Sequence, residues 1–214
     1  MSALARLAAE AAEQGLAVAG MAPLLPSDGL PGRFRSVALL APDEPRFWPL
    51  FEASPERADN RPDPLDRWSR RVVGSLACGR GKALFPFGGP PWRPFYDWAL
   101  RSGRAWASPV QLLVHEEARL WISFRGAVAL REEAPAPSTA RPCDACAAPC
   151  ATACPVGALT AGGYDVAACR AHLALPQGRD CLTVGCRARR ACPVGAERRL
   201  PSQSAFHMEA FAPS

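Results

Sequence analysis

The sequence predicts an α+β chain. A sheet-and-helix domain is expected over residues 1–137, a small cysteine-held domain over 138–200, and a tail over 201–214. Three observations carry this. In the first part of the chain, apolar residues recur at helical spacing in some stretches and run unbroken over short spans in others, so helices and buried strands are mixed. Eight of the nine cysteines lie between Cys143 and Cys192. Between the two regions, REEAPAPSTARP (Arg131–Pro142) has the composition of a linker and places the domain boundary near residue 138.

Taken in order, residues 2–14 read as a helix, because Leu4, Leu7, Ala8, Ala11 and Ala12 share a face and Gly15 suits the C-terminal cap. Leu16–Met21 and Ser36–Leu40 are expected as short buried strands, joined by the turn-rich PLLPSDGLPG. Glu44–Ala53 is expected as a short helix. A longer helix begins at Pro64 with Asp63 as its cap. Leu65, Trp68, Val72 and Leu76 line its core face, while Arg67, Arg70 and Arg71 face solvent. Cys78 follows that stripe and reads as a packed thiol. Lys82–Phe87 is apolar and breaks at Gly88-Gly89-Pro90-Pro91, with a helix after it at Pro94–Arg101. Val110–His115 and Leu120–Leu130 are expected to pair as a hairpin across Glu116–Arg119. After Cys192 the chain ends in a polar tail, whose Phe206, Met208 and Phe211 are candidates to dock on a domain surface.

The cysteine block opens CDACAAPCATACPVGA and closes CLTVGCRARRACPVGA, with Cys169 between them. Cys-Pro-Val-Gly-Ala occurs at both Cys154 and Cys192. A run of close cysteines ending in Cys-Pro is the pattern of a two-cluster bacterial ferredoxin, in which the cysteine before proline serves the other run's cluster. Short gaps let one loop wrap three corners of a cubane, and the small residues Ala145, Ala147, Ala148, Ala151 and Ala153 leave room for its inorganic core. The first run is one residue wider than the common spacing, and the second is wider still. The crossover rule assigns Cys143, Cys146, Cys150 and Cys192 to one [4Fe–4S] cluster. Cys154, Cys169, Cys181 and Cys186 remain for the other. Two alternatives stand beside this. A disulfide framework fits poorly with an odd cysteine count and an N-terminus unlike a signal peptide. Structural zinc usually shows paired C-x2-C knuckles, and only Cys143–Cys146 has that form.

The formal charge of +5 falls close to neutrality once two clusters of about −2 each are counted, which makes nucleic acid an unlikely partner class. No apolar stretch approaches the roughly 20 residues of a membrane span, so a cytoplasmic protein is expected. Basic residues are almost all arginine, Lys82 being the only lysine.

Two stretches carry resemblances. The Cys-Pro-Val-Gly-Ala element, the cysteine of YDVAACRAHL, and a Gly-Cys followed by Cys-Pro resemble the ferredoxin part of epoxyqueuosine reductases. Where those enzymes have a further C-x2-C, this chain has Gly185-Cys186 followed by RARRA, and Cys181 is the candidate for the missing ligand. LLVHEEARLWISFRGAVAL is similar to the histidine–tryptophan–arginine–glycine strand pair of CblC-type cobalamin-processing proteins, represented here by His115, Trp121, Arg125 and Gly126. The resemblances imply a nitroreductase- or CblC-like sheet domain holding a corrinoid or flavin-like ligand, followed by a ferredoxin-like domain with two [4Fe–4S] clusters. Together with the aromatic–glycine break, they imply a cofactor pocket lined by Phe87, Gly88, Gly89, Trp92, His115 and Arg125. The alternative at that break is that the aromatics are core.

The expectation for function is an iron–sulfur redox protein that passes electrons to a cofactor such as cobalamin, or to a substrate, in the N-terminal domain. That would make it a corrinoid-linked reductase served by a redox protein partner. The alternative is a ferredoxin-like electron carrier whose N-terminal domain only docks partners. Arg187, Arg189, Arg190, Arg198 and Arg199 crowd the second Cys-Pro element with Glu197 opposing them. They are candidates for raising a cluster potential or for docking an acidic donor.

Overall fold

The structure is a computed structural model that describes residues 2–136, 140–193 and 200–212. Its elements, in chain order, are α1 (Ala3–Glu13), β1 (Leu16–Pro23), β2 (Ser36–Pro42), α2 (Phe47–Glu52), α3 (Pro55–Ala58), α4 (Pro64–Ala77), β3 (Lys82–Leu84), α5 (Phe95–Arg101), β4 (Ala105–Ala107), β5 (Leu113–His115) and β6 (Gly126–Leu130), then β7 (Leu159–Thr160), β8 (Gly163–Tyr164), α6 (Val166–Leu173), α7 (Arg179–Val184), α8 (Arg187–Arg190) and α9 (Pro201–Phe211). The fold is mixed α+β. It divides into two compact units: unit 1 is Met1–Ala105 with Ser123–Thr139, and unit 2 is Trp106–Ile122 with Ala140–Ser214. The expected boundary near residue 138 lies outside the described residues. Trp106–Ile122, expected within the first domain, groups with unit 2. Among the described residues, no helix is long and apolar enough to cross a membrane.

Unit 1 is built on an antiparallel sheet in the order β1-β2-β6-β3. The two central strands, β2 and β6, are apolar on both faces and buried along almost their whole length, which is why they read as unbroken runs in the sequence. α1 and α5 pack on β1, and α4 packs on β6 and β3. Gly126 lets α4 approach the sheet, since a Cβ there would stand 3.0 Å from a Val73 methyl. Phe47 and Phe51 of α2 meet Trp68 of α4, the Phe47 and Trp68 rings edge to face at 5.3 Å, and Trp48 packs against both phenylalanines. Burial of such large rings dominates the energetics of a core this size.

Several expectations change here. The hairpin does not form as expected: β5 pairs with β4, and β6 goes to the main sheet. The turn between them is tighter than a strand connection, with His115 and Arg119 exchanging both backbone hydrogen bonds at 3.0 Å. Trp121 N–H then closes onto the Ala118 carbonyl, which bends the chain away. Asp63 precedes α4 as expected, but it is left-handed (φ 52°) and its side chain makes no cap bond. Arg67 and Arg71 are not a free solvated face. Arg67 grips both carboxylate oxygens of Asp59 at 2.7 Å, and Arg71 pairs with Glu56. Both therefore tie α4 to α3 and the turn after it.

Unit 2 is small and loop-rich. Asp165 caps α6 by accepting the Ala168 N–H at 2.9 Å. The expected tail is a helix, α9, packed on α7. It buries Gln203 and Ser204, and its Phe211 ring lies 6.1 Å from Tyr164 at a shallow angle. Gly185 makes that packing close, since it has φ 101° and a Cβ there would stand 2.9 Å from Ser204.

Candidate metal centre

The first cysteine run is a series of tight turns. Cys146 N–H bonds to the Cys143 carbonyl at 3.2 Å. Ala148 takes a left-handed conformation (φ 52°), and a 3-10 turn over Pro149–Ala151 brings Cys150 inward. Two backbone donors face sulfur: Ala148 N–H lies 3.4 Å from Cys146 Sγ, and Ala158 N–H lies 3.3 Å from Cys154 Sγ. Such donors favour the thiolate over the thiol.

These turns wall a cavity of about 430 Å³, and Cys143, Cys146, Cys150 and Cys192 all line it. Three come from one loop and the fourth from the second Cys-Pro element. The rest of that element, Val194–Ala196, lies outside the described residues. Opposite the sulfurs stand Pro109, Val114, Arg119 and Leu120 from Trp106–Ile122. Behind the wall, Val110, Val114, Leu120, Leu159 and Ala188 form an apolar cluster. Cys150 is part of it, and Cys143, Cys154, Cys186 and Cys192 pack against it.

The electrostatics sort the thiols into the same two groups. Burial pushes the Cys150 thiol up, and the charges of Cys192, Cys143 and Cys146 push it further. Burial likewise raises Cys143, against Arg141, with Cys146 and Cys192 adding to the rise. Burial raises Cys169 as well. A hydrogen bond from the Tyr164 hydroxyl opposes this, and Cys186, Cys154 and Cys181 reinforce it. Cys181 is raised by burial and by Cys186, among others. Thiols such as Cys143, Cys150, Cys169 and Cys181, raised by burial and by neighbouring cysteines, are helped toward thiolates by a cationic centre among them.

A single ion and a cluster ask different geometries of four thiolates. Zinc–sulfur bonds of about 2.3 Å in a tetrahedron bring the sulfurs to about 3.8 Å from one another. Among the described residues, no three His, Cys, Asp or Glu side chains form a group that could hold one metal ion. A cubane binds each thiolate to a different iron, so its sulfurs ring a cage instead of meeting at a point.

The arginines around the second run are engaged. Arg187 and Arg190 both pair with Asp180, the first at 2.7 Å, and Arg190 also reaches the Gly185 carbonyl at 3.0 Å. Arg189 donates to the Leu120 carbonyl, and burial lowers its pKa against the pull of Cys186 and Tyr164. The expected open basic patch is therefore largely neutralised or packed. Glu197, Arg198 and Arg199 lie outside the described residues.

The residues expected to line a cofactor pocket fall in both units. In unit 1, the Phe87 ring is 5.4 Å from Phe85 and faces the Arg70 guanidinium at 5.2 Å. Gly88 and Gly89 lie in the turn after it, Gly89 with φ 84°, and Trp92 is 66 % exposed. Arg125 has a mostly buried side chain 4.0 Å from Asp66. Burial lowers the Arg125 pKa and raises that of Asp66, each opposed by the other's charge. His115 belongs to unit 2 and is 3 % exposed. Its Nδ1 accepts the N–H groups of Glu117 and Ala118 at 3.1 and 3.2 Å, so it templates a turn. Cys78, expected to be packed, is exposed.

Sequence reasoning missed Arg119 and Tyr164 as neighbours of the sulfurs, though it placed Arg189 there. Tyr164 had a usable signal in its place five residues before Cys169. Arg119 had none, because only the fold brings it to the cysteine loop. Comparison of the chain with models of known protein families, with curated proteins and with solved structures finds no match.

Proposed function

We propose that unit 2 is an electron-transfer module holding two [4Fe–4S] clusters, one on Cys143, Cys146, Cys150 and Cys192, the other on Cys154, Cys169, Cys181 and Cys186. The observation that carries this is the single cavity walled by the first four sulfurs, with Cys192 arriving from far along the chain. When bound, such clusters supply reversible one-electron storage at tunable potential. The chain's part is to gather the thiolates, to aim backbone N–H groups and the Tyr164 hydroxyl at sulfur, and to exclude water with the Val114 and Leu120 wall. A reduced redox protein gives one electron at a time, and an acceptor takes it up. Anaerobic reconstitution tests the reading: about eight iron and eight acid-labile sulfide per chain are expected, with an EPR signal on reduction. Stoichiometric zinc, or iron without sulfide, rejects it.

For the acceptor, we propose a corrinoid or another planar ligand on unit 1, against Phe87, Gly88, Gly89, Trp92 and Arg125. That would make the protein an oxidoreductase. In support, the Trp92 indole is not used by the core, and the sunken Arg125 guanidinium meets its nearest carboxylate only at 4.0 Å. The engagement of Phe87 by Arg70 and Phe85 favours the second reading, an electron carrier whose unit 1 only docks partners. Titration with cobalamin separates them. Shifted visible bands and co-elution support the corrinoid, and an unchanged spectrum supports the carrier.

A further inference from the structure

Arg119 lines the cavity that Cys143, Cys146, Cys150 and Cys192 share. Its Nε is sealed from solvent and, among the described residues, has no hydrogen-bond partner. Its backbone is left-handed, at φ 51°, a conformation that side-chain-bearing residues adopt only when the surroundings hold them there. Here the hold is visible. The backbone of Arg119 is locked to that of His115 in both directions, and the His115 ring fixes the intervening N–H groups of Glu117 and Ala118. A desolvated donor atom is costly to leave unpaired, and a rigid turn that places Arg119 on the wall of the four-cysteine cavity implies an acceptor there.

We infer that Arg119 is a positioning and tuning residue for the group on those four cysteines, donating its Nε–H to sulfur and raising that cluster's reduction potential. The inference rests on the two-cluster reading. A guanidinium held close gains more from a cluster at −3 than at −2, so it favours uptake of the electron from the reduced redox partner. The planar donor is part of the effect, so lysine replaces the charge but not the bond.

The test is a potentiometric titration, followed by EPR, of the reconstituted full chain as wild type, R119Q and R119K. In R119Q one of the two couples should fall by about tenfold in its reduction equilibrium, about 59 mV for a one-electron step. The other couple should stay, and R119K should lie between R119Q and the wild type. Both couples unchanged in R119Q overturns the inference while leaving the clusters in place. If R119Q does not load, guanidino-¹⁵N-arginine in the wild type gives a second readout: a ¹⁵N coupling to a reduced cluster that is absent from R119K supports it, and spectra identical in the two proteins overturn it. A wild-type chain without iron and sulfide fails at the earlier step and removes the two-cluster reading itself.

Discussion

The two units hold themselves together differently. Unit 1 has a four-stranded sheet with two largely apolar, buried central strands and a knot of aromatic rings from α2 and α4. Its polar groups reinforce that core with specific pairs, such as Arg101 on both oxygens of Asp28 at 2.7 and 3.0 Å. Unit 2 has one modest apolar cluster, and partly buried cysteines pack against it where a larger core would place leucines. The same burial that stabilises unit 1 penalises unit 2, because it pushes Cys143, Cys150, Cys169 and Cys181 toward their neutral forms. Burial alone is thus a sufficient design for the first region, whereas the proposed clusters would supply the second with the positive charge its thiolates lack.

The sharpest way to break this contrast is to remove the metal. Oxidative chelation should strip amide-exchange protection from unit 2 while leaving that of β2 and β6 unchanged, since metal binding and folding are coupled in small metal domains. Equal protection before and after in unit 2 would show that its apolar cluster suffices. Cys192→Ala is the milder form, expected to lose about half of the iron and sulfide with the sheet intact, given one of two four-iron clusters.

The reverse experiment acts on unit 1. Phe51 is fully buried, and Phe51→Ala should destabilise the sheet unit by about 3–5 kcal/mol, read by denaturant unfolding, with iron content unchanged.

A smaller effect comes from Asp28, whose side chain is 4 % exposed. Burial alone would raise its carboxyl, but hydrogen bonds from Arg101 and the Leu25 N–H outweigh it and hold the pKa below the usual value. The stability this contributes is therefore complete above the ordinary carboxylate range and is lost as pH falls through the depressed value. Asp28→Asn should cost about 2 kcal/mol at neutral pH and flatten the acid limb of unit 1 unfolding.

The least effect is expected at Tyr164. Tyr164 neighbours Cys169 and opposes the rise of its pKa, which favours the more negative state of whatever that sulfur holds. Tyr164→Phe should lower one couple by about threefold, about 28 mV, with the Cys192-dependent cluster unaffected.

How much of this was legible in the sequence follows from how local each cause is. α1, β1, β2 and α4 were visible because their apolar period or continuity is written into adjacent residues. The gathering of Cys143, Cys146 and Cys150 follows from short gaps, and that of Cys192 from the repeated Cys-Pro. The hairpin expectation failed because strand pairing is chosen by the rest of the sheet: Gly126–Leu130 has better neighbours in β2 and β3 than in β5. α9 was hidden because the residues it buries most deeply, Gln203 and Ser204, are polar. The arginines of α4 looked solvated because nothing in their spacing reveals Asp59 and Glu56 waiting on the preceding turns.

The interleaving of the two units bears on how the chain is made. On the ribosome, Trp106–Ile122 emerges before β6, and β6 before the first cluster cysteine. Because β6 sits between β2 and β3, the sheet cannot close until Leu130 is out, by which point the wall of the cysteine cavity already exists. Domains fold as units, earlier ones first, so the sheet unit can close before the first cysteine of the block emerges, while Trp106–Ile122 waits for the rest of its own unit. The cysteine block is accordingly not a cassette: a gene fragment beginning at Ala140 would carry all eight thiols and lack one side of their container.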